Sequence, residues 1–223
     1  VFLIDLFFPK RNLNYSSVGS YLTTSEIAQL HWFEKHLETL PNSLLRKVWV
    51  ASDLDNLLIR DLLYRFKYGG EWAIAEDFAD LLGQTLLKIN FPNSFDLLIS
   101  VPADPKRLAQ RGYHPPKLLA EKLSKIVGIK FVNSLIKTKH TRPQTKLERQ
   151  ARLENLTALF AVKTESIRLI QKAKNILLID DVVTTGSTFN ECAKQILYFN
   201  PSAQIYGIAV AGHKNAQTAS QDT

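Results

Sequence analysis

The stretch Ile176-Leu177-Leu178-Ile179-Asp180-Asp181-Val182-Val183-Thr184-Thr185-Gly186-Ser187-Thr188 constrains this chain more than any other segment. Its four leading apolar residues read as a strand buried on both faces, the pattern of a parallel sheet. Two adjacent carboxylates follow, then a loop of small hydroxyl residues around one glycine. Phe189 to Leu197 continues with apolar residues at helical spacing. Strand, acidic pair, hydroxyl loop and helix in this order predict a site for a phosphorylated sugar.

Each part has a physical reason. The first backbone N–H groups of a helix lack intrahelical partners and carry partial positive charge, so they favour phosphate. Gly186 has no Cβ and lets the backbone approach closely. Thr184, Thr185, Ser187 and Thr188 offer hydroxyl donors to phosphate oxygens. Asp180 and Asp181 accept hydrogen bonds, which suits ribose hydroxyls or a hydrated Mg²⁺, and they would repel a phosphate laid on them. The phosphate therefore belongs on the loop and the sugar over the carboxylates. A P-loop is excluded, because the chain has no Gly-x-x-x-x-Gly-Lys-Ser/Thr and no Lys follows the Gly186 turn.

The remaining periodicities predict an α/β fold, a mainly parallel twisted sheet flanked by helices, with a short, mostly helical N-terminal appendage. Residues 25–40 read as a helix with Ile27, Leu30, Phe33 and Leu37 on one face and Pro41 beyond its end. Strands are expected at Val48 to Ala51, Phe95 to Val101, Phe131 to Ile136, Ile176 to Ile179 and Ile205 to Val210. Helices are expected at Asn56 to Lys67, Trp72 to Lys88, His114 to Val127 and Thr145 to Asn155, besides the one after Thr188. Residues 137–146 read as a long mobile loop. The divisions are an appendage over 1–45, the α/β domain over 46–215 and a polar tail over 216–223. Ligands of parallel sheets bind beyond the carboxyl ends of strands. The loops Pro102 to Gly112 and Asp180 to Thr188 should therefore meet in one site.

Charge is concentrated. Between Lys106 and Arg152 the net charge is +11, and the rest of the chain carries −4. Pyrophosphate or a nucleic-acid backbone would each account for such a segment. Lys117, Lys122 and Lys125 interleave with Leu118, Leu119, Leu123 and Ile126 and read as the solvated face of an amphipathic helix. Arg107, Arg111, Arg142 and Lys146 fall in expected loops and are the better ligand cations. Tyr113, beside Gly112 at a helix entry, reads as packing ahead of base stacking. His114 and His140 show no carboxylate partner in sequence and read as exposed. Aromatic residues for stacking on single strands are sparse here, with only Tyr113 and Phe131 between residues 106 and 152.

The single cysteine, Cys192, leaves no intramolecular disulfide and fits a reducing, cytoplasmic setting. No apolar run reaches the length of a membrane span. Val1 to Pro9 is apolar but short, contains Asp5 and lacks a basic start, so it is a poor signal peptide. The chain opens on Val and contains no Met, which suggests a trimmed start.

Asp180 to Thr188 resembles the phosphoribosyl pyrophosphate (PRPP) signature of type I phosphoribosyltransferases. Further segments are similar to the ComF family, phosphoribosyltransferase-like proteins associated with DNA uptake in natural competence. These are Ser100-Val101-Pro102, Arg107-Leu108-Ala109-Gln110-Arg111-Gly112-Tyr113 and Leu118-Leu119-Ala120. Arg142-Pro143-Gln144-Thr145 with Leu147, Arg152, Asn155 and Phe160 completes the set. The likeness runs from about residue 57 to 211, and Asp5-Leu6-Phe7-Phe8-Pro9 resembles the family's opening.

The resemblance implies a PRPP site with Mg²⁺. Asp180 and Asp181 would hold ribose hydroxyls and the metal, through water. Thr184, Thr185, Gly186, Ser187 and Thr188 would take the 5-phosphate. Arg107 and Arg111 would face pyrophosphate, and Arg142, Gln144 and Lys146 would ride on a closing loop. Asp180, Asp181, Arg142 and Lys146 are the expected catalytic set. Three functions follow from it: transfer of phosphoribose with pyrophosphate release, a non-catalytic PRPP sensor or module for single-stranded DNA beside a competence helicase or recombination protein, and a regulator of nucleotide metabolism. The family's usual N-terminal zinc finger needs four Cys/His ligands. The N-terminal segment offers only His31 and His36 and no cysteine, so no finger is expected.

Overall fold

The computed structural model describes residues 20–35, 43–89, 95–138 and 159–214. Five strands form the main sheet in the order β1 (Phe33–Glu34), β2 (Leu45–Asp53), β7 (Gln204–Gly212), β6 (Asn175–Val183) and β3 (Leu97–Ser100). β2, β7, β6 and β3 are parallel, and β1 is an antiparallel edge. The α/β architecture, a mainly parallel sheet covered by helices, is therefore the one expected.

Because side chains alternate along a strand, the apolar run of β6 feeds two cores. Leu177 and Ile179 pack with α2 (Leu57–Tyr68), α3 (Ile74–Lys88) and α5 (Pro115–Val127). Ile176 and Leu178 pack with α6 (Ile167–Lys172), α7 (Ser187–Phe199) and the small antiparallel pair β4 (Leu135–Lys137) and β5 (Phe160–Val162). Asn56 caps α2, its side-chain oxygen accepting from the Ile59 N–H at 3.1 Å. Gly128, at φ 73°, closes α5 as expected.

The helix expected over 25–40 is shorter. α1 spans Thr24–Gln29 behind a Thr23–Glu26 capping box, and Leu30 is already extended. Ile27 and Leu30 enter the α2–α3 core, whereas Phe33 packs with the opposite one. One helical face cannot serve both sides of a sheet, so the chain turns extended and pairs Phe33 with Val50. Leu37 lies outside the described residues. Asp77 fixes this entry, its Oδ1 accepting from the N–H groups of Tyr21 at 3.0 Å and Leu22 at 3.1 Å.

Three further expectations change. Pro102 to Gly112 is not all loop, because Pro105–Arg111 forms helix α4 with Asp104 as N-cap and Gly112 left-handed at its end. β6 does not stop at Ile179, since Asp180, Val182 and Val183 still pair with Ala209, Ala211 and Gly212. The strand expected from Phe131 begins only at Leu135, and Phe131 itself makes an isolated bridge to Leu98. The helix expected over Thr145 to Asn155 and the polar tail 216–223 lie outside the described residues.

Gly207 of β7 ties the fold to the loop after β6. A Cβ there would meet the Phe189 ring at 3.1 Å and Leu45 at 3.2 Å. Phe189 is a buried residue of the first turn of α7, so the bare glycine lets that turn lie on the sheet. Gly207→Ala is expected to destabilise the protein by about 1–3 kcal/mol through overpacking. Chemical denaturation of the variant against the native chain measures this.

Candidate functional site

β3 ends beside Ile179 of β6, and the chain after β3 together with the end of β6 borders a cleft of about 380 Å³. Asp180, Asp181 and Thr188 line one side, and Arg107, Arg111 and His114 are among the residues that complete it. Alternation sends the two carboxylates to opposite faces of β6. Asp181 lies on the α2 side, where Lys67, in the last turn of that helix, meets its Oδ1 at 2.9 Å. Asp180 accepts the Asp181 N–H at 2.8 Å. Burial raises the Asp180 carboxyl well above the usual carboxylate range, and the Asp181 charge adds to the rise.

The hydroxyl loop is a tight turn. Gly186 takes φ 81°, a left-handed conformation that side chains rarely adopt, and stands as the N-cap of α7. The Thr185 Oγ1 accepts the Ser187 N–H at 3.3 Å and donates to the Ser187 Oγ at 3.0 Å. Thr184, Thr185, Ser187 and Thr188 are exposed, so the hydroxyls not used within the turn and the Thr188 amide face solvent.

α4 builds the opposite wall. Its sequence Asp104-Pro105 is an N-cap followed by Pro at the first helical position. Asp104 accepts the N–H groups of Lys106 at 2.9 Å and Arg107 at 3.3 Å, and meets the Lys137 ammonium at 2.7 Å. The Lys137 bond, with these N–H bonds, holds the Asp104 carboxyl down at about 2. Lys137 and Phe160, which line the cleft, flank the segment carrying Arg142, Gln144 and Lys146. Those three residues lie outside the described set.

The structure brings Asp180, Asp181, Arg107, Arg111 and Thr188 to one cleft, with the rest of the hydroxyl loop adjoining it. It adds Lys67, Asp104 and Lys137, which the sequence reading passed over. Lys67 carries only the signature of a cation in the last turn of a helix, a common complement to the dipole. Lys137 and Asp104 are 33 positions apart, a pairing no local pattern encodes. His114 is not exposed. It is half-buried in the cleft with Asp181 as its electrostatic neighbour, and burial lowers its imidazole to about 4. Tyr113 is packing, its hydroxyl donating to the Phe66 carbonyl and its ring 6.0 Å from that of Phe66. Lys117 and Lys122 pair with Glu121 and Glu76, as expected of a solvated face. Cys192 is a buried free thiol.

Two carboxylates that line one cleft with a hydroxyl of the turn suit Mg²⁺, which is commonly held by one or two carboxylates plus substrate phosphates. Another cluster, Asp53, Asp55 and His213, stands at the ends of β2 and β7, with its ligand atoms within 4.8 Å of one another. Among the described residues no helix is long and apolar enough to cross a membrane.

His114 makes stability pH-dependent. The unfolded imidazole takes up a proton near its ordinary value of 6.5, whereas the folded one resists until about 4. The unfolded state thus binds more protons between these limits, and stability falls as pH is lowered through that window. His114→Asn is expected to shrink the drop in melting temperature between pH 7 and pH 5. Thermal melts of both proteins at the two pH values check this.

No family model matches the chain. It is 31% identical over 155 residues to competence protein F of Haemophilus influenzae, covering 67% of each chain. It is 29% identical over 160 residues to competence protein ComFC of Bacillus subtilis, covering 72% of this chain and 60% of that one. The DNA utilization protein YhgH of Escherichia coli strain K12 is 28% identical over 148 residues, with 65% and 63% covered. Among solved structures, an adenine phosphoribosyltransferase aligns with 62% of this chain and 70% of its own at TM-score 0.40 and 13% identity. A glutamine PRPP amidotransferase from B. subtilis aligns with 60% and 25% at TM-score 0.39 and 14% identity. Two thirds of competence protein F are matched at 31% identity, and on that sequence match the chain belongs to the ComF family.

Proposed function

We propose that this protein binds PRPP with Mg²⁺ in the cleft and serves the handling of incoming DNA in the cytoplasm during natural competence. One observation carries the PRPP reading: paired carboxylates and a hydroxyl turn at a helix start share a cleft with two arginines. The 5-phosphate would lie on Thr184 to Thr188, the ribose hydroxyls on Asp180 and Asp181, and the pyrophosphate towards Arg107 and Arg111. Mg²⁺ bound there would neutralise pyrophosphate charge. Arg142, Gln144 and Lys146 would close over the ligand from the segment between Lys137 and Phe160. The names of the relatives, competence proteins and a DNA utilization protein, support the DNA setting. A helicase or recombination protein is the partner such a role requires.

Whether phosphoribose is transferred is a separate matter. Asp104 is tied to Lys137, and Asp181 to Lys67, which leaves Asp180 as the cleft carboxyl without an ion-pair partner among the described residues. Pyrophosphate release measured with and without single-stranded DNA decides between a module and a transferase.

Asp180→Asn with Asp181→Asn is expected to weaken PRPP binding about tenfold or more, since charge-assisted hydrogen bonds are lost. Calorimetric titration in Mg²⁺ tests it, and unchanged affinity in a folded double variant would reject the reading. Arg142→Ala with Lys146→Ala separates the two anions. A closing loop predicts weaker PRPP binding, whereas contacts to DNA predict a salt dependence flatter by roughly one unit per lost phosphate contact.

A further inference from the structure

Next to the cleft is a second hollow, of about 270 Å³, between the end of α2 and α4. It shares Lys67, Tyr68, Arg107, Arg111 and Tyr113 with the cleft and adds Gly70 and Gln110. Among the described residues no carboxylate lines it. The Lys67 ammonium is engaged by Asp181, so Arg107 and Arg111 supply the available charge. Neither arginine has a carboxylate partner among the described residues.

The hollow also has an aromatic wall. The Arg111 guanidinium carbon lies 4.9 Å from the centroid of the Tyr68 ring. Tyr64, one turn earlier on α2, sits 5.3 Å from Tyr68 at an interplanar angle of 45°. Both rings are 64% exposed, while Leu62, Leu63 and Phe66 fill the core from the other face of the same helix. Unpaired guanidiniums beside exposed rings, with no acid nearby, complement a ligand that is anionic at one end and flat and π-rich at the other.

We propose that this hollow is a nucleotide subsite, in which a base stacks on Tyr68 beside the Arg111 guanidinium and a polyphosphate lies on Arg107 and Arg111. Its volume lies near the lower limit of small-molecule sites, about 300 Å³, which suits one free nucleotide and not several bases of a strand. The orientation is the reverse of that expected for a phosphoribosyl product, whose phosphate would rest on Thr184 to Thr188. The inference rests on the PRPP reading in one respect. Arg107 and Arg111 are the cations assigned there to pyrophosphate, so nucleotide and PRPP exclude one another, and a nucleoside polyphosphate acts as an antagonist of the PRPP site.

The test is equilibrium titration with ATP, with inorganic tripolyphosphate as the base-less probe, and with a thymidine oligonucleotide, at constant Mg²⁺. The proteins are the native chain, Tyr68→Ala, Tyr68→Trp and Gly186→Val, each checked for folding by thermal melting. ATP is expected to bind the native chain about tenfold or more tighter than tripolyphosphate, the worth of one stacked base. Tyr68→Ala should erase that difference and Tyr68→Trp restore it. ATP should displace PRPP from the native chain. Gly186→Val, strained in the left-handed turn, should lose PRPP and keep ATP. Equal binding of ATP and tripolyphosphate would overturn the subsite, as would a difference that survives Tyr68→Ala. Loss of ATP together with PRPP in Gly186→Val would move the nucleotide to the hydroxyl loop and overturn it too. Binding of the oligonucleotide without ATP would assign the surface to a strand instead. Should PRPP bind none of the proteins while ATP behaves as expected, the PRPP reading fails and the subsite stands.

Discussion

The ion pair between Lys67 and Asp181 joins the last turn of α2 to the end of β6 at 2.9 Å. Both side chains are largely withdrawn from water, with 20% and 10% of their side-chain surface exposed. Removing one partner of such a buried pair leaves a charge without compensation, a loss of about 3–5 kcal/mol in fully buried cases. The rest of the cleft is arranged around this contact. It fixes the distance between the helical wall and the acidic strand end. Asp180, the next residue along the strand and without a contacting cation among the described residues, is the carboxyl that burial raises.

The site uses two helix starts for different ends. At α7 the N-cap is Gly186, which presents no side-chain acceptor; the Ser187 N–H is taken by Thr185 Oγ1, and the Thr188 N–H is left for an external anion. At α4 the N-cap is Asp104, which satisfies the Lys106 and Arg107 amides internally and then recruits Lys137. One start is left available and the other is closed. The closed one instead projects Arg107 and Arg111 from a seven-residue helix that buries none of its own residues. α4 is held by its cap, by Pro105 and by the left-handed Gly112, not by a core face.

Membership of the ComF family and the geometry of the cleft are independent findings. The family follows from identity spread over two thirds of the chain. The cleft draws its polar groups from α2, α4 with its cap, the end of β4, β6 and the start of α7, most of them remote in sequence. Its cations outnumber the carboxylates left unpaired, which suits a ligand of high negative charge.

The order strand, acids, hydroxyl turn and helix was legible from residues 176–197 alone, because parallel strands and helix starts leave strong local signals. The meeting of the two loops at β3 and β6 followed from the general placement of ligands at strand ends. α4 was read as loop, because it lacks the apolar periodicity that usually announces a helix, although Asp104, Pro105 and Gly112 mark its ends. The remainder had no local signal. A lysine in a last helical turn looks the same whether it faces water or a buried aspartate 114 positions away, so only packing reveals Lys67. Phe33 fitted a helical face by spacing, and only the free edge of β2 made it a strand. His114 reads as an ordinary histidine until α5 buries it beside Asp181. The sequence by itself determined the chemistry of the strand end and the class of fold, since both depend on neighbours along the chain. The tertiary structure decided which cations serve that chemistry and which aromatic rings stand beside them, since long-range contacts are set by the packing of whole elements.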